Sequence, residues 1–458
     1  MSDLLSIGRS GVLAYKGALQ TIGENVTNAD TAGYSRRSVV LSEQSTYSGP
    51  TTLNRSASAF GGVQAVGVSR VWDQYKASNA WTTNSDSSNA DTRTQYLTTM
   101  ESLLNDTDAG VGTRLTAVFT TATQLSANPA DTSVRQTFLA SISDAASAIR
   151  TTASNLTQLS GTITTQATLQ TSEANDTLGA LAKINLALRT SPTNSPARAQ
   201  LEDQRDSLLG SLSGVMAINT DFAADGSVTV RMNDVTGPLL LSNTAVLPSD
   251  VSLQTASDGR LAMTVRDGDT VTAATPTGGS LAGLIDSANV NAGRRAQLDG
   301  IATGMIDLLN NFQANGLTDA GVAGPDLMTG TDAASINLSG TVTIADIAAA
   351  SPDATGTAIG TANGNLLSLV SNGRGADGLE QKWKTMVTDQ SLLVSSAKLQ
   401  QSAASARKST AFTALDETTG VDLDNEAAEL LRFQQAYSAS AKVIQAARET
   451  LQDILNLF

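Results

Sequence analysis

The sequence predicts a mainly α fold with a β insertion: terminal coiled-coil helices, an elongated helical bundle core and a small inserted β-domain. Three observations carry this. First, both ends bear heptad stripes. Leu430, Phe433, Tyr437, Ser440, Ile444, Ala447, Leu451, Ile454 and Phe458 alternate spacings of three and four, as do Leu5, Gly8, Val12, Tyr15, Leu19, Ile22 and Val26. Such spacing forms a narrow apolar seam against a partner helix. Second, aromatic residues are only 4% of the chain, which suits long helices with small contact residues better than one thick core. Third, the period changes to two in the middle: Val228, Val230 and Met232 alternate with polar residues, as do Leu261, Met263 and Val265.

Composition limits function. The chain has 458 residues, no cysteine and no histidine. Triads built on His, Cys nucleophiles, Cys/His zinc sites and disulfides are excluded. The net charge of −14 leaves no basic footprint for nucleic acid or anionic lipid. No stretch approaches the roughly 18 uninterrupted apolar residues of a membrane span. The first twenty residues lack the basic n-region and cleavage site of a secretory signal. An assembly protein that is not an enzyme, with no cofactor and no metal, is the expectation.

In order, the first helix is expected over about 3–26, ending in Thr27-Asn28-Ala29-Asp30-Thr31-Ala32-Gly33, a run of turn formers. Residues 34–41 read as extended, and 42–70 as loop and short strand. Helix returns over about 71–104, with Trp72, Tyr75, Tyr96 and Leu103 as packing residues. A third helix covers about 112–127 and stops at Asn128-Pro129. Asp131 or Thr132 then caps a very long helix with the stripe Phe138, Ile142, Ala145, Ile149, Thr152, Leu156, Leu159 and Ile163. It is expected to reach Leu188, with Gly161 and Gly179 as possible breaks. Another helix covers about 197–212. Punctuation at Asp225-Gly226, Gly237-Pro238, Asp258-Gly259 and Asp267-Gly268 marks residues 214–276 as β. Helices follow over about 278–315 and 379–414. The C-terminal stripe is capped by Asp422 or Asp424 and spans about 40 Å at 1.5 Å per residue.

The domains are thus nested. Residues 1–42 with 420–458 form the terminal coiled-coil layer. Residues 43–213 with 277–315 and 376–419 form the bundle. Residues 214–276 are the β insertion, and 316–375 a small irregular one. The two stripes can pair with each other or with neighbouring copies. The seam Leu5, Val12, Tyr15, Leu19, Ile22, Val26, Leu430, Phe433, Tyr437, Ile444, Leu451, Ile454 and Phe458 is the expected subunit-assembly site.

Other motifs have plainer readings. Gly278-Gly279-Ser280 lacks the Walker lysine and reads as a tight turn into a helix. The Asp/Gly-rich runs at 316–321 and 353–364 lack calcium-loop register and read as surface loop. Arg36 and Arg37 read as solvated or subunit-facing charges.

Two terminal segments resemble bacterial flagellar axial proteins of the rod/hook class. One is Gly17-Ala18-Leu19-Gln20-Thr21-Ile22-Gly23-Glu24-Asn25-Val26-Thr27-Asn28-Ala29-Asp30-Thr31-Ala32-Gly33-Tyr34-Ser35-Arg36-Arg37. The other runs from Val421-Asp422-Leu423-Asp424-Asn425-Glu426 through Leu431-Arg432-Phe433-Gln434-Gln435-Ala436-Tyr437 to Ile444. Within that class they are similar to the hook-associated protein 1, or FlgK-type, family. Asn128-Pro129-Ala130-Asp131 and Gly279-Ser280-Leu281-Ala282-Gly283-Leu284 also resemble it. The close match covers roughly the first and last 40 residues.

The resemblance implies a structural protein of the flagellum, extracellular and exported unfolded by the flagellar apparatus without a cleaved signal peptide. Its terminal helices would order on docking at the growing tip. Its partners would be identical copies in a ring, hook protein below, and hook-associated protein 3 with the filament above. An export chaperone would engage the C-terminal helix. Neither nucleic acid nor membrane insertion is implied. The alternatives are a hook or rod subunit, a flagellin-like protein, or, in another class, a secreted adhesin or carboxylate-based glycan hydrolase. Against the hydrolase, residues 214–276 contain no Glu.

Overall fold

A computed structural model describes residues 2–44, 61–105, 107–352 and 363–456. The first helix, α1, is Ser2–Thr27. Strands β1 (Arg37–Glu43) and β2 (Val63–Arg70) form an antiparallel pair. The helices α2 (Gln74–Leu103), α3 (Val111–Ala127), α4 (Thr132–Thr190) and α5 (Pro196–Val215) follow. Their starts are chemically specified. Asp73 accepts from the backbone N–H groups of Tyr75 and Lys76, and Asp131 from those of Ser133 and Val134. Ser195 accepts from Arg198, with Pro196 at the first helical position. Each cap satisfies donors that the first turn leaves orphaned.

Helix α4 runs unbroken through 59 residues, about 90 Å at the standard rise. Gly161 and Gly179 do not interrupt it. A side chain at either would meet no atom within 4 Å, so neither marks a close contact, and the flanking apolar stripe holds the helix. Every member of the stripe from Phe138 to Ile163 is buried. Of the packing residues expected in α2, Tyr96 is buried but Tyr75 is exposed. Tyr75 sits in the first turn on the outward side of the helix, two residues before the buried Ala77.

The β insertion consists of two three-stranded antiparallel sheets. One is β3 (Ile218–Phe222), β4 (Val228–Met232) and β5 (Leu239–Leu241). The other is β6 (Asp250–Thr255), β7 (Leu261–Asp267) and β8 (Thr270–Ala274). The period-two residues of β4 and β7 are all buried. Helix α6 (Gly279–Asn315) then returns the chain to the bundle. The two ends of the insertion lie side by side, for the Ala217 N–H donates to the Gly278 carbonyl at 3.2 Å.

This junction needs glycine at 279. Its φ is +77°, and a Cβ there would lie 2.3 Å from the backbone of Val215 and Met216. Gly279→Ala is expected to cost about 2 kcal/mol or more, from left-handed strain plus overpacking. Chemical denaturation of the full chain measures it, and an unchanged midpoint would contradict the account.

Residues 316–352 are less loop-like than their composition suggests. Leu327, Ile336 and Ile347 are fully buried. The short strands β9 (Met328–Thr329) and β10 (Asn337–Leu338) pair there. Polar side chains of the bundle satisfy the irregular backbone. Gln313 donates to the carbonyls of Pro325 (3.0 Å) and Asp346 (2.7 Å) and accepts from Ala348 N–H (2.9 Å). Arg135 donates to the Ile344 carbonyl and to Asp319. Helix α7 (Gly364–Gly373) lies inside the stretch read as irregular, seated by Leu366 and Leu369. Residues 353–362 lie outside the described residues.

Two apolar clusters run along the bundle. One joins α3, the first half of α4, the second half of α6 and the start of α8 (Leu379–Thr419). The other joins α2, the second half of α4, α5, the β insertion and the middle of α8. Elongation follows from this serial arrangement. The last helix, α9, is Leu423–Leu455, capped by Asp422 and not Asp424.

Candidate functional site: the terminal helix pair

Helices α1 and α9 pack antiparallel on each other. A side chain at Gly8 would meet Ile444 and Ser440, and one at Gly11 would meet Ser440. Midway, the rings of Tyr15 and Phe433 stand 6.1 Å apart. At the far end Asn25 donates to Glu426 at 3.0 Å. The hairpin β1–β2 flanks α1, with Gly62 against Ser10 and Ile7.

The buried residues of α1 are Gly8, Gly11, Ala14, Ala18, Thr21, Ile22 and Asn25. The residues expected at the seam lie beside them. Leu5, Val12, Tyr15 and Leu19 are half-buried, Ile22 is buried and Val26 is exposed. On α9, Leu430, Phe433 and Ile444 are half-buried, whereas Tyr437, Leu451 and Ile454 are exposed. Phe458 lies outside the described residues. Small residues let the two backbones approach, so they take the inner line and the larger apolar side chains splay to either side. A reading by apolar size passes over this line. The signal for it is the run of small residues at 8, 11, 14 and 18.

A second feature escapes sequence reasoning. Arg36 and Arg37 are not free surface charges. Glu426 is fully buried and accepts from Arg36 Nε at 2.7 Å and from Asn25 Nδ2. Asn25 Nδ2 also donates to the Arg37 carbonyl at 2.8 Å, and its Oδ1 accepts from the Tyr34 hydroxyl (2.8 Å) and the Arg37 N–H (3.0 Å). The Arg36 N–H donates to the Thr419 carbonyl at 2.8 Å. Residues 390 positions apart thus meet. Sequence spacing carries no trace of such pairing.

Arg37 reaches the other way. Its Nη2 donates to Asp203 on α5 at 2.8 Å. Asp203 also pairs with Arg70 at 2.8 Å, and Arg70 pairs in turn with Asp206. Arg205 pairs with Asp206 at 2.8 Å and lies 4.5 Å over the ring of Phe222, which Trp72 meets edge-on at 5.0 Å. A chain of ion pairs and cation–π contacts therefore ties the terminal helices to the bundle and the β insertion. Burial pushes the Asp203 carboxyl upward, and the neighbouring guanidiniums pull against it. Burial also pushes the Tyr34 phenol up to about 12, so it stays a proton donor to Asn25 throughout the neutral range.

These groups are engaged with one another and form no nucleophile–base pair. Among the described residues no cluster of three or more carboxylates or other ligands could hold a metal ion. No helix among them is long and apolar enough to cross a membrane. The arrangement holds two helices in place and leaves their outer faces uncovered.

Known proteins share this architecture. The family model described as the flagellar hook-associated protein FlgK helical domain matches residues 97–328, half of the chain. The model described as the flagellar basal body rod FlgEFG protein C-terminal region matches 414–457. The chain is 25% identical to flagellar hook-associated protein 1 of Bacillus subtilis (strain 168), across 99% of this chain and 97% of that protein. It is 24% identical to flagellar hook-associated protein 1 of Salmonella typhimurium, across 51% of this chain and 41% of that one. The structure of the flagellar hook junction protein FlgK from Burkholderia pseudomallei superposes with a TM-score of 0.64 at 14% identity, covering 74% of this chain and 99% of that one. That likeness shows the shared fold. Together with the match of half the chain to the helical-domain model, it places this chain in the FlgK family of flagellar hook-associated structural proteins.

Proposed function

We propose that this chain forms the ring joining the flagellar hook to the filament, and that filament assembly depends on it. The supporting observation is the exposed surface of the terminal helix pair. Leu4, Leu13 and Val26 on α1, and Leu431, Tyr437, Leu451 and Ile454 on α9, are large apolar residues left exposed. Leu4 and Leu13 lie on opposite sides of α1, so the exposed apolar residues suit contacts on more than one side of the pair, as identical copies around a ring would supply. Residues 1–42 with 420–458 would form the inner layer. The bundle of 43–213, 277–315 and 376–419 would make lateral contacts. The insertion 214–276 would face outward with 316–375 beside the bundle.

Hook protein would lie below and hook-associated protein 3 with the filament above. The chain would leave the cell through the flagellar export apparatus without signal cleavage, and an export chaperone would engage α9. No catalytic step is assigned to it.

A deletion strain tests this reading. Electron microscopy should find hooks without filaments, and flagellin should accumulate in the medium. Normal filaments would refute the junction role. Loss of the hooks themselves would move the chain down to the hook or rod, whose C-terminal model also matches it.

A further inference from the structure

We propose that the outer face of α8 on one copy docks against the outer face of α4 on the next copy. This rests on the ring reading above and names the surfaces that would close the ring. At the middle of the bundle α4 packs chiefly on α6, α6 on α2, and α2 on α8, so α4 and α8 stand on opposite flanks. A contact from one flank to the other is heterologous, and repetition of such a contact builds a ring.

Each flank carries a face unlike the rest of this acidic chain. The net charge is −14, yet from Thr151 to Ser172 α4 has no charged residue. Leu169 on that face is 60% exposed. The hydroxyls of Thr157, Thr162, Thr165 and Thr168 donate to the carbonyl four residues back. Covering these threonines therefore leaves no donor unpaired, and their desolvation costs little. On α8, Lys398 is the one charge between Asp389 and Arg407. Leu392 and Leu399 there are 70% and 74% exposed, two helical turns apart on one line.

The two faces also match in height and in charge. Gln170 of α4 accepts from Ser280 of α6. A side chain at Gly283, one turn further on, would meet the backbone of Asn89 and Arg93 in α2. Arg93 donates to Gln400 of α8 at 3.1 Å. Leu169 and Leu399, each one residue earlier, thus stand within about one helical turn of the same height. The helices α4 and α8 run in the same direction, since both pass from the cluster shared with α3 to the one shared with α2. Beyond the leucines, exposed Glu173 and Asp176 end the uncharged face of α4, and exposed Arg407 ends that of α8. Upright neighbours would set those carboxylates beside Arg407, with Lys398 at the flank. Within its own chain Arg407 approaches Asp86 at 3.9 Å with both side chains well exposed, a contact weak enough to yield. Apolar groups ringed by opposite charges fix partner and orientation together.

The absence of cysteine makes the test clean. The full-length chain carrying Leu169→Cys and Leu399→Cys is expressed in the deletion strain, and isolated flagella are treated with a short bis-maleimide. Immunoblots should show a ladder of dimers, trimers and higher species. Each single-cysteine variant should give far less, and the purified monomer none, because the bundle separates the two sites. Charge exchange tests the same contact without cysteine, so a pair that blocks assembly does not end the test. Glu173→Lys with Asp176→Lys should lower the number of filament-bearing cells at least about threefold, and adding Lys398→Glu with Arg407→Glu should restore it to within about twofold. Restored filaments without a ladder would overturn this contact and leave the ring reading standing. So would an equal yield from a single-cysteine variant, or a charge reversal that has no effect or is not rescued. Normal filaments in the deletion strain would instead remove the ring reading itself.

Discussion

Replacing Leu451 and Ile454 together by aspartate is expected to abolish incorporation into flagella and to leave the isolated chain almost as stable as before. Leu451 is 37% exposed and Ile454 41% exposed, so neither belongs to an intramolecular core. Surface changes of this kind stay within about 0.5 kcal/mol, a shift of about 2 °C or less for a chain this large. Assembly is different. Burying a leucine or isoleucine side chain against a neighbour stabilises by about 1.5–3 kcal/mol. Burying an ionised carboxylate there without a partner instead costs several kcal/mol even after relaxation. Repeated at each subunit contact, that reversal stops growth. Complementation of the deletion strain reads the assembly, and thermal melting of the purified variant reads the stability. A large fall in melting temperature would show that the stripe is an internal core.

Arg36→Ala should have the largest effect on how the terminal helices dock. Its partner Glu426 is buried, whereas the Arg36 side chain retains 30% exposure. Removing one member of a fully buried pair costs about 3–5 kcal/mol, and the partial exposure lowers the expectation to about 2–3 kcal/mol. The loss should be local. Amide exchange should quicken in the first turns of α9 and around residues 34–37, while α4 and α6 keep their protection, because their contacts lie in the two clusters of the bundle. Glu426→Gln should cost less, since the amide oxygen still accepts from Asn25 or Arg36. Unchanged exchange in α9 would refute the anchoring role.

Much of the fold was legible because its causes are local. The period-four-and-three stripe of α4, the alternation in β4 and β7, and the caps at Asp131 and Asp422 depend on residues a few positions apart. The same holds for the Gly278-Gly279 turn. Composition indicated irregular backbone at 316–352, which is largely what forms there, but not what anchors it. The deciding groups there are Gln313 and Arg135, on distant helices. Tyr75 misled for a different reason: the first turn of α2 is packed through Trp72 and Ala77, and Tyr75 points outward from it.

Local pattern was enough to show two amphipathic terminal helices, a bundle of long helices between them, and a β insertion that interrupts it. Periodicity records which side of an element is apolar, and nothing more is needed for those conclusions. Tertiary structure alone decided that the two terminal helices meet each other. It also decided that small residues form their inner line and that Arg36 and Arg37 face Glu426 and Asp203. Those choices depend on backbone approach and on charges hundreds of residues apart coming within hydrogen-bond range. Such contacts are fixed by the desolvation of buried charge in three dimensions, which linear spacing does not encode.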